Sequence, residues 1–334
     1  MLNAPVMLLF FNRPDSFRQV FEAVRQAQPT QLFLVQDGAR ATRPDDIPNV
    51  QACRDIAANI DWPCEIHRNY ASENMSCDHR EYTGIDWCFD HVDRLIILED
   101  DCVPTQSFLR MCEELLEKYK DDTRVYSISG FARVGTYENY PYDYVFSKMG
   151  AGWGWATWKR TWEQVRALSD LSFLDDQNLI RCQLENLDDA TKATHPENFL
   201  QRGRELRTIT EKTGKIPSWE YLVRANLVLN NGLVIVPAKN LIRYTGISEN
   251  ATHCHADARL LPHRTREMLL QPSFELDWPL RHPPRVLHNW DYEQADLKMA
   301  CPNPLLDHLE ALFLKIRYGE FDLLKQSILR RLKK

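Results

Sequence analysis

Arg94-Leu95-Ile96-Ile97-Leu98-Glu99-Asp100-Asp101 drives an unbroken apolar run into three consecutive carboxylates. A run of that length between polar flanks reads as a strand buried on both faces. Side chains alternate along an extended backbone, which would place Glu99 and Asp101 on one face and Asp100 on the other. Adjacent acids repel and raise one another's pKa unless a cation or basic groups offset them. Carboxylate oxygens suit hard ions such as Mg2+ or Mn2+, which complete their shell with water and substrate phosphates. The run therefore points to a metal-bound phosphorylated substrate. A structural reading competes with it, because Thr105 is placed to open the next helix and acids favour helix N-termini.

Outward from this run, strands and helices alternate. The sequence predicts strands over residues 5–11, 31–35, 64–67, 94–98 and 125–129, with helices over 16–28, 46–59, 78–91 and 106–120. Such alternation implies an α/β fold with a mostly parallel sheet, helices on both faces, and ligands at the carboxyl ends of the strands. Three of those ends carry polar groups: Asn12-Arg13 after the first, Asp37 after the second, and Glu99-Asp100-Asp101 after the fourth.

Composition narrows the class. Lys plus Arg total 41 against 47 Asp plus Glu, a net charge of -6 with pI near 6.0. That balance gives no signal for nucleic acid. The nine cysteines lack regular spacing, and no secretory signal precedes them, as expected of reduced thiols in a cytoplasmic protein. No apolar stretch reaches transmembrane length.

The strand ending in Asn12-Arg13-Pro14, the strand ending in Gln36-Asp37-Gly38, and the acidic triplet followed by Pro104 and Phe108 resemble GT-A nucleotide-sugar glycosyltransferases. The likeness is to the N-acetylglucosaminyltransferase I type and its bacterial relatives, some labelled hemolysin-activation proteins. It continues through Ser127-Ile128-Ser129-Gly130-Phe131, Gly152-Trp153-Gly154-Trp155-Ala156-Thr157-Trp158 and Ser218-Trp219-Glu220-Tyr221, covering about residues 4–255. It implies a GT-A (Rossmann-like) catalytic domain over 1–255 and an irregular C-terminal extension over 256–334.

The resemblance implies a role for each matching residue. Asp101 would bind Mn2+ or Mg2+, Asp100 the donor ribose and Glu99 the donor sugar. Asp37 would hydrogen-bond the nucleotide base, and Arg13 the base or phosphates of a UDP-sugar. Glu220, where relatives carry Asp, would be the base that deprotonates the acceptor hydroxyl. Relatives also use a late histidine near the metal, a place His253 would take. A closed structural zinc at His253-Cys254-His255 lacks its remaining ligands. In the family's loop before the third helix, Met75 and Ser76 replace the usual Leu and Gly. Each role has a plainer counterpart: Arg13 as a surface ion pair, Asp37 as a turn residue, and Glu220 as an exposed residue on a helix capped by Ser218.

From Gly150 to Trp162 four tryptophans and interspersed glycines suggest a pliable loop over a substrate, with Trp153 and Trp155 lining the donor or acceptor site. Trp158 and Trp162, four apart, read as packing. The chain's end is amphipathic and basic, a pattern that docks on the protein body or lies peripherally on an anionic membrane, where lipid-linked acceptors are found.

These expectations describe a metal-dependent, inverting glycosyltransferase acting on a glycan, glycolipid or glycoprotein acceptor, at the inner membrane face if the terminal helix binds lipid. A sugar nucleotidyltransferase is the alternative, although Asn12-Arg13-Pro14 lacks the Gly-rich loop of such enzymes. A non-catalytic carbohydrate-binding or toxin-accessory protein is a third reading.

Overall fold

Short apolar runs bounded by turn residues form the strands of the first half, and amphipathic stretches between them form the helices. The computed structural model describes residues 1–184, 196–247, 257–300, 304–321, 323 and 325. His253, His255 and the basic residues from Arg330 onward lie outside that set. The order is β1 (Val6–Phe10), α1 (Pro14–Ala27), β2 (Gln31–Gln36), α2 (Asp46–Ala57), β3 (Glu65–Tyr70), α3 (Cys77–Cys88), β4 (Arg94–Glu99), β5 (Cys102–Pro104), α4 (Gln106–Lys118) and β6 (Val125–Ser129). Then come β7 (Tyr144–Ser147), β8 (Trp155–Trp158), α5 (Lys159–Ala167), α6 (Gln177–Leu184), α7 (Pro196–Thr213), α8 (Trp219–Leu229), β9 (Leu233–Pro237), β10 (Ile242–Tyr244), α9 (His263–Leu269), α10 (Trp290–Ala300) and α11 (Pro304–Arg317).

Eight strands form one sheet in the order β3-β2-β1-β4-β8-β6-β9-β7. β3, β2, β1, β4, β6 and β9 run one way, while β8 and β7 run against them. The result is a mixed α/β, Rossmann-like architecture with a mostly parallel sheet flanked by helices. Alternation along β4 sends Ile96 and Leu98 into the core shared with Phe17, Val24, Leu109 and Leu115. Leu95 and Ile97 enter the opposite core, with Ile85, Trp162 and Leu222. Each residue thus contributes to one of two apolar layers, the arrangement a doubly covered sheet requires. Thr105 does cap α4, its Oγ1 accepting from Phe108 N at 3.2 Å.

β1, β2 and β4 are immediate neighbours, so their carboxyl ends, with Arg13, Asp37 and the acids, lie side by side. A second, two-stranded sheet joins β5 to β10 just beyond the acids.

The stretch expected as a pliable loop contains a central strand instead. β8 is inserted antiparallel between β4 and β6, pairing Trp155 with Ile97 and with Ser129, and its residues are buried. β-branched and aromatic residues favour such a position, and Gly154, at φ +64°, turns the chain into it. Trp158 and Trp162 are core residues.

Beyond residue 256 the chain is tied to the sheet by buried polar contacts. Glu293 accepts from Ser147 Oγ at 3.0 Å and from Lys148 N at 2.8 Å, and its Oε2 lies 2.8 Å from His288 Nε2. Arg133 donates to Asp296.

Candidate functional site

β4 ends at Glu99, and the chain turns at Asp100 and Asp101. Strand alternation therefore stops at Glu99, which corrects the expectation that Glu99 and Asp101 share a face opposite Asp100. Asp100 and Asp101 converge on one guanidinium: Arg13 Nη1 donates to Asp101 Oδ2 at 2.6 Å, and Nη2 lies 3.3 Å from Asp100 Oδ1. Asp100 Oδ2 also accepts from Phe11 N at 3.0 Å, tying the end of β4 to the end of β1. Burial pushes the Asp100 carboxyl up to about 6 against the pull of Arg13, with the charge of Asp101 adding to the rise. Burial alone would lower the Arg13 pKa, but the two carboxylates hold it above its ordinary value. The ion pair is largely buried rather than a surface contact.

Asp101 is framed from the far side of the chain. Thr245 N donates to its carbonyl at 2.8 Å, and Cys102 Sγ lies 3.4 Å from Oδ1. A Cβ on Gly246 would fall 2.4 Å from Asp101 Oδ2 and 2.2 Å from the Tyr244 hydroxyl, so a larger residue would push these two side-chain tips aside.

Asp37 closes a loop. Its Oδ1 accepts from Gly38 N at 2.9 Å and Met75 N at 2.8 Å, and its Oδ2 from Asn74 Nδ2 at 2.8 Å. Burial raises its pKa, against those backbone donors. The same loop holds Ser76 at φ 75°, ψ 152°, a region open to glycine and costly for other residues.

On the other face of β4, three carboxyl groups gather. Burial raises Glu99 well above the usual range, with Asp101, Asp100 and Glu220 adding to the rise. Glu81, from the middle of α3, is raised in the same way by burial, Glu99 and Glu220; it accepts a hydrogen bond from Trp219, while its Oε1 has no partner. Glu220 is exposed in the first turn of α8, beside the mouth of this group. Ser218 occupies the N-cap position of α8 without a side-chain cap bond.

Glu220 also lines a cavity of about 330 Å³ together with Gly152, Trp153, Trp155, Trp219 and Arg224. Trp155 and Trp219 stack there with centroids 5.4 Å apart and planes 10° from parallel. Trp153 stands edge-on to Phe131 and leans on Tyr244, the residue beside Asp101. The cavity wall is thus linked to the acidic tip through the contact of Trp153 with Tyr244, while no acid of the triplet lines the cavity itself.

Sequence reasoning missed Glu81, Trp219 and Gly246. Glu81 is an acid within an otherwise ordinary helix, Trp219 enters only as a neighbour of Glu220 in its motif, and Gly246 lies outside the motifs quoted above. Helical spacing of acids offered the one usable hint, since Glu81 lies three after Asp78 in α3.

The donor set at the tip is hard oxygen, as Mg2+ or Mn2+ requires, and Asp101 is the residue that would supply such a ligand. Among the described residues no three His, Cys, Asp or Glu side chains gather as a complete metal cage. A single protein carboxylate suits an ion whose other ligands are water and phosphate, with Arg13 as the group it would have to displace from Asp101 Oδ2.

No family model matches this chain, and no curated protein matches it. The likeness to the N-acetylglucosaminyltransferase I type accordingly has no sequence-level support. Among solved structures, CMP:2-keto-3-deoxy-manno-octonic acid synthetase complexed with CTP is 13% identical over 50% of this chain and 78% of its own, at TM-score 0.30. The 4-diphosphocytidyl-2C-methyl-D-erythritol synthase of Anaerococcus prevotii is 12% identical over 49% and 77%, at TM-score 0.27. UDP-glucose pyrophosphorylase complexed with UDP-glucose is 10% identical over 49% and 80%, at TM-score 0.28. Likeness of this size assigns no chemistry to the chain.

Proposed function

We propose that this chain is a glycosyltransferase that binds a nucleoside diphosphate sugar, UDP-linked by preference, across the carboxyl ends of β1, β2 and β4. The observation that carries this reading is the adjacency of two unlike compartments. One is the Arg13, Asp100 and Asp101 cluster, suited to a diphosphate and its cation; the other is the Trp-walled cavity holding Glu220. Transfer to an acceptor needs both, whereas nucleotide binding alone has no use for the second.

In the reaction, the acceptor oxygen attacks the anomeric carbon and the bond from that carbon to the diphosphate breaks. The electron pair leaves with the diphosphate, and the acceptor proton passes to the Glu220 carboxylate. Arg13 meets the negative charge developing on the departing oxygens. A divalent cation bound at Asp101 would add Lewis-acid stabilisation of the same charge. Asp37 fixes the loop at Met75, which would border the base, and its Oδ2 keeps one lone pair for a base N–H. Trp153 and Trp155 offer apolar faces to sugar rings, and Glu99, whose pKa burial raises, stands at the strand end toward the donor sugar.

One observation favours a second reading, a sugar nucleotidyltransferase. Arg13 sits in the turn between β1 and α1 and faces the acids, a position that suits a nucleoside triphosphate as well as a diphosphate.

Thermal melting with UDP, CTP and UTP, each with and without Mn2+, followed by product assays on a glycan acceptor panel, separates the two. Metal-dependent stabilisation by UDP and UDP release only with acceptor support transfer. Pyrophosphate release from a nucleoside triphosphate and a sugar phosphate would replace it with the second reading. If no nucleotide shifts the melting curve, both fall.

A further inference from the structure

Two acids of α10 are bonded into the wall of the cavity that holds Glu220. Glu293 and Asp296 stand three apart in the helix, so both project from one face, and both are buried. Asp296 Oδ1 accepts from Arg133 Nε at 3.1 Å, and a second contact, from Arg133 Nη2 to Asp296 Oδ2, completes a fork. The side chains of this pair are 13 and 4% exposed. Arg133 Nη1 stands 3.5 Å from Gly150 O. Glu293 holds the same stretch of chain through Ser147 Oγ and Lys148 N, and Ser147 Oγ in turn accepts from Met149 N at 3.0 Å.

These contacts end at the substrate side. Arg133, Met149 and Gly150 line the cavity together with Glu220. A Cβ on Gly150 would fall 2.6 Å from Val234 Cγ1, so the segment already lies tight against β9. Its polar ties run to α10, directly and through Arg133. The wall also meets the helix that carries Glu220: Arg224, one turn further along α8, has its Nη1 2.9 Å from Met149 Sδ. An acceptor hydroxyl has to come within hydrogen-bond reach of Glu220 while aimed at the anomeric carbon, and a misplacement of about 1 Å costs on the order of 10²-fold in rate. A buried ion pair is a weak source of stability, because desolvation offsets its attraction. A planar guanidinium held at two nitrogens is, by contrast, fixed in orientation.

We propose that Asp296 and Glu293 are positioning residues for the acceptor. They set Arg133 and residues 147–150 as one wall of the Glu220 cavity, and so make the segment beyond residue 256 part of acceptor recognition. The inference rests on the glycosyltransferase reading above and adds to it the part of the chain that orients the acceptor.

The test is steady-state transfer by the full chain with Mn2+ and UDP-glucose, UDP-galactose or UDP-N-acetylglucosamine, using the donor and panel glycan that give the fastest UDP release. Asp296→Asn keeps the size of the side chain and breaks the charged fork. It should raise the acceptor KM by about tenfold with kcat within about threefold of the parent. Its stabilisation by UDP with Mn2+ should be unchanged. Asp296→Glu, which keeps the carboxylate, should hold the acceptor KM within about twofold of the parent, a rescue that a merely structural role does not require. Ser147→Ala removes the hydroxyl shared by Glu293 and Met149 with a smaller change to the interior, and serves where Asp296→Asn does not fold; it should raise the acceptor KM by about threefold. An acceptor KM unchanged in the folded variants, or a fall in kcat alone that follows the unfolded fraction, would overturn the proposal and leave the donor-site reading standing. A parent chain that binds UDP yet transfers from none of these donors to any acceptor would overturn the transferase reading, and this inference with it.

Discussion

Arg13 Nη1 stands 2.6 Å from Asp101 Oδ2 while its Nη2 stands 3.3 Å from Asp100 Oδ1, so one guanidinium bridges the last two acids of the triplet and offsets one of their two charges. Three carboxylates at a strand end are tolerated because a cation from the neighbouring strand end is already among them. That same contact puts Arg13 in competition with any divalent ion for Asp101.

Replacing the guanidinium should expose this competition. Arg13→Gln leaves two buried carboxylates without their counter-ion and is expected to destabilise the protein by about 3 kcal/mol or more. Millimolar Mn2+ should recover more of the melting temperature in the variant than it adds to the parent. Equal metal responses in the two proteins would remove Asp101 from the list of metal ligands.

Glu220→Gln keeps the size of the side chain but removes its capacity to take a proton. Turnover with acceptor should fall by about 10²–10⁴-fold, with nucleotide-induced stabilisation unchanged. Full activity in this variant would move the base elsewhere in the cavity.

Glu81 gives a pH signature. Burial raises its folded-state pKa, so the folded protein resists its ionisation more than the unfolded chain does. Below the unfolded value of about 4.3 the group is protonated in both states and costs nothing; as pH rises above that, stability is lost. Glu81→Gln should therefore raise the melting temperature at pH 7.5 by about 2 °C or more, and the gain should vanish near pH 4. A gain of the same size at both pH values would show that the effect is not titration.

Ser76 occupies a backbone conformation at φ 75°, ψ 152° that costs a non-glycine residue about 1–3 kcal/mol. It also makes no side-chain cap bond to α3, so nothing is lost with its hydroxyl there. After allowing for the greater freedom of glycine in the unfolded chain, Ser76→Gly should stabilise by about 1 kcal/mol, readable in a urea melt.

The first half of the fold was legible because each strand there is a local apolar run and each helix a local amphipathic one. β1, β2, β4 and β6, and helices α1 to α4, lie within a few residues of where the sequence placed them. β8 was hidden: its glycine-rich approach and clustered tryptophans read as a loop, and only pairing with β4 and β6 makes a strand of Trp155–Trp158. β5 and β10 are three residues each, too short for any periodic signal. At the site, the acids and Arg13 were visible as strand-end residues, but their mutual contact depends on the order of β1 and β4 in the sheet. The grouping of Glu81, Glu99 and Glu220 joins three distant segments, which no local pattern encodes.

Thr245 meets Asp101 across 144 residues, through the pairing of β10 with β5. During translation the strands β1 to β4 therefore emerge and can pair while the acidic tip still lacks half its frame. Closure over so long a separation is slow relative to the local steps that precede it. A nascent chain stalled before residue 245, or a proteolytic fragment ending there, carries every acid of the triplet and Arg13 but lacks the Thr245 and Gly246 side of their enclosure. Such fragments should keep the secondary structure of the amino-terminal strands yet remain unable to engage nucleotide, so competence arrives late in synthesis and all at once.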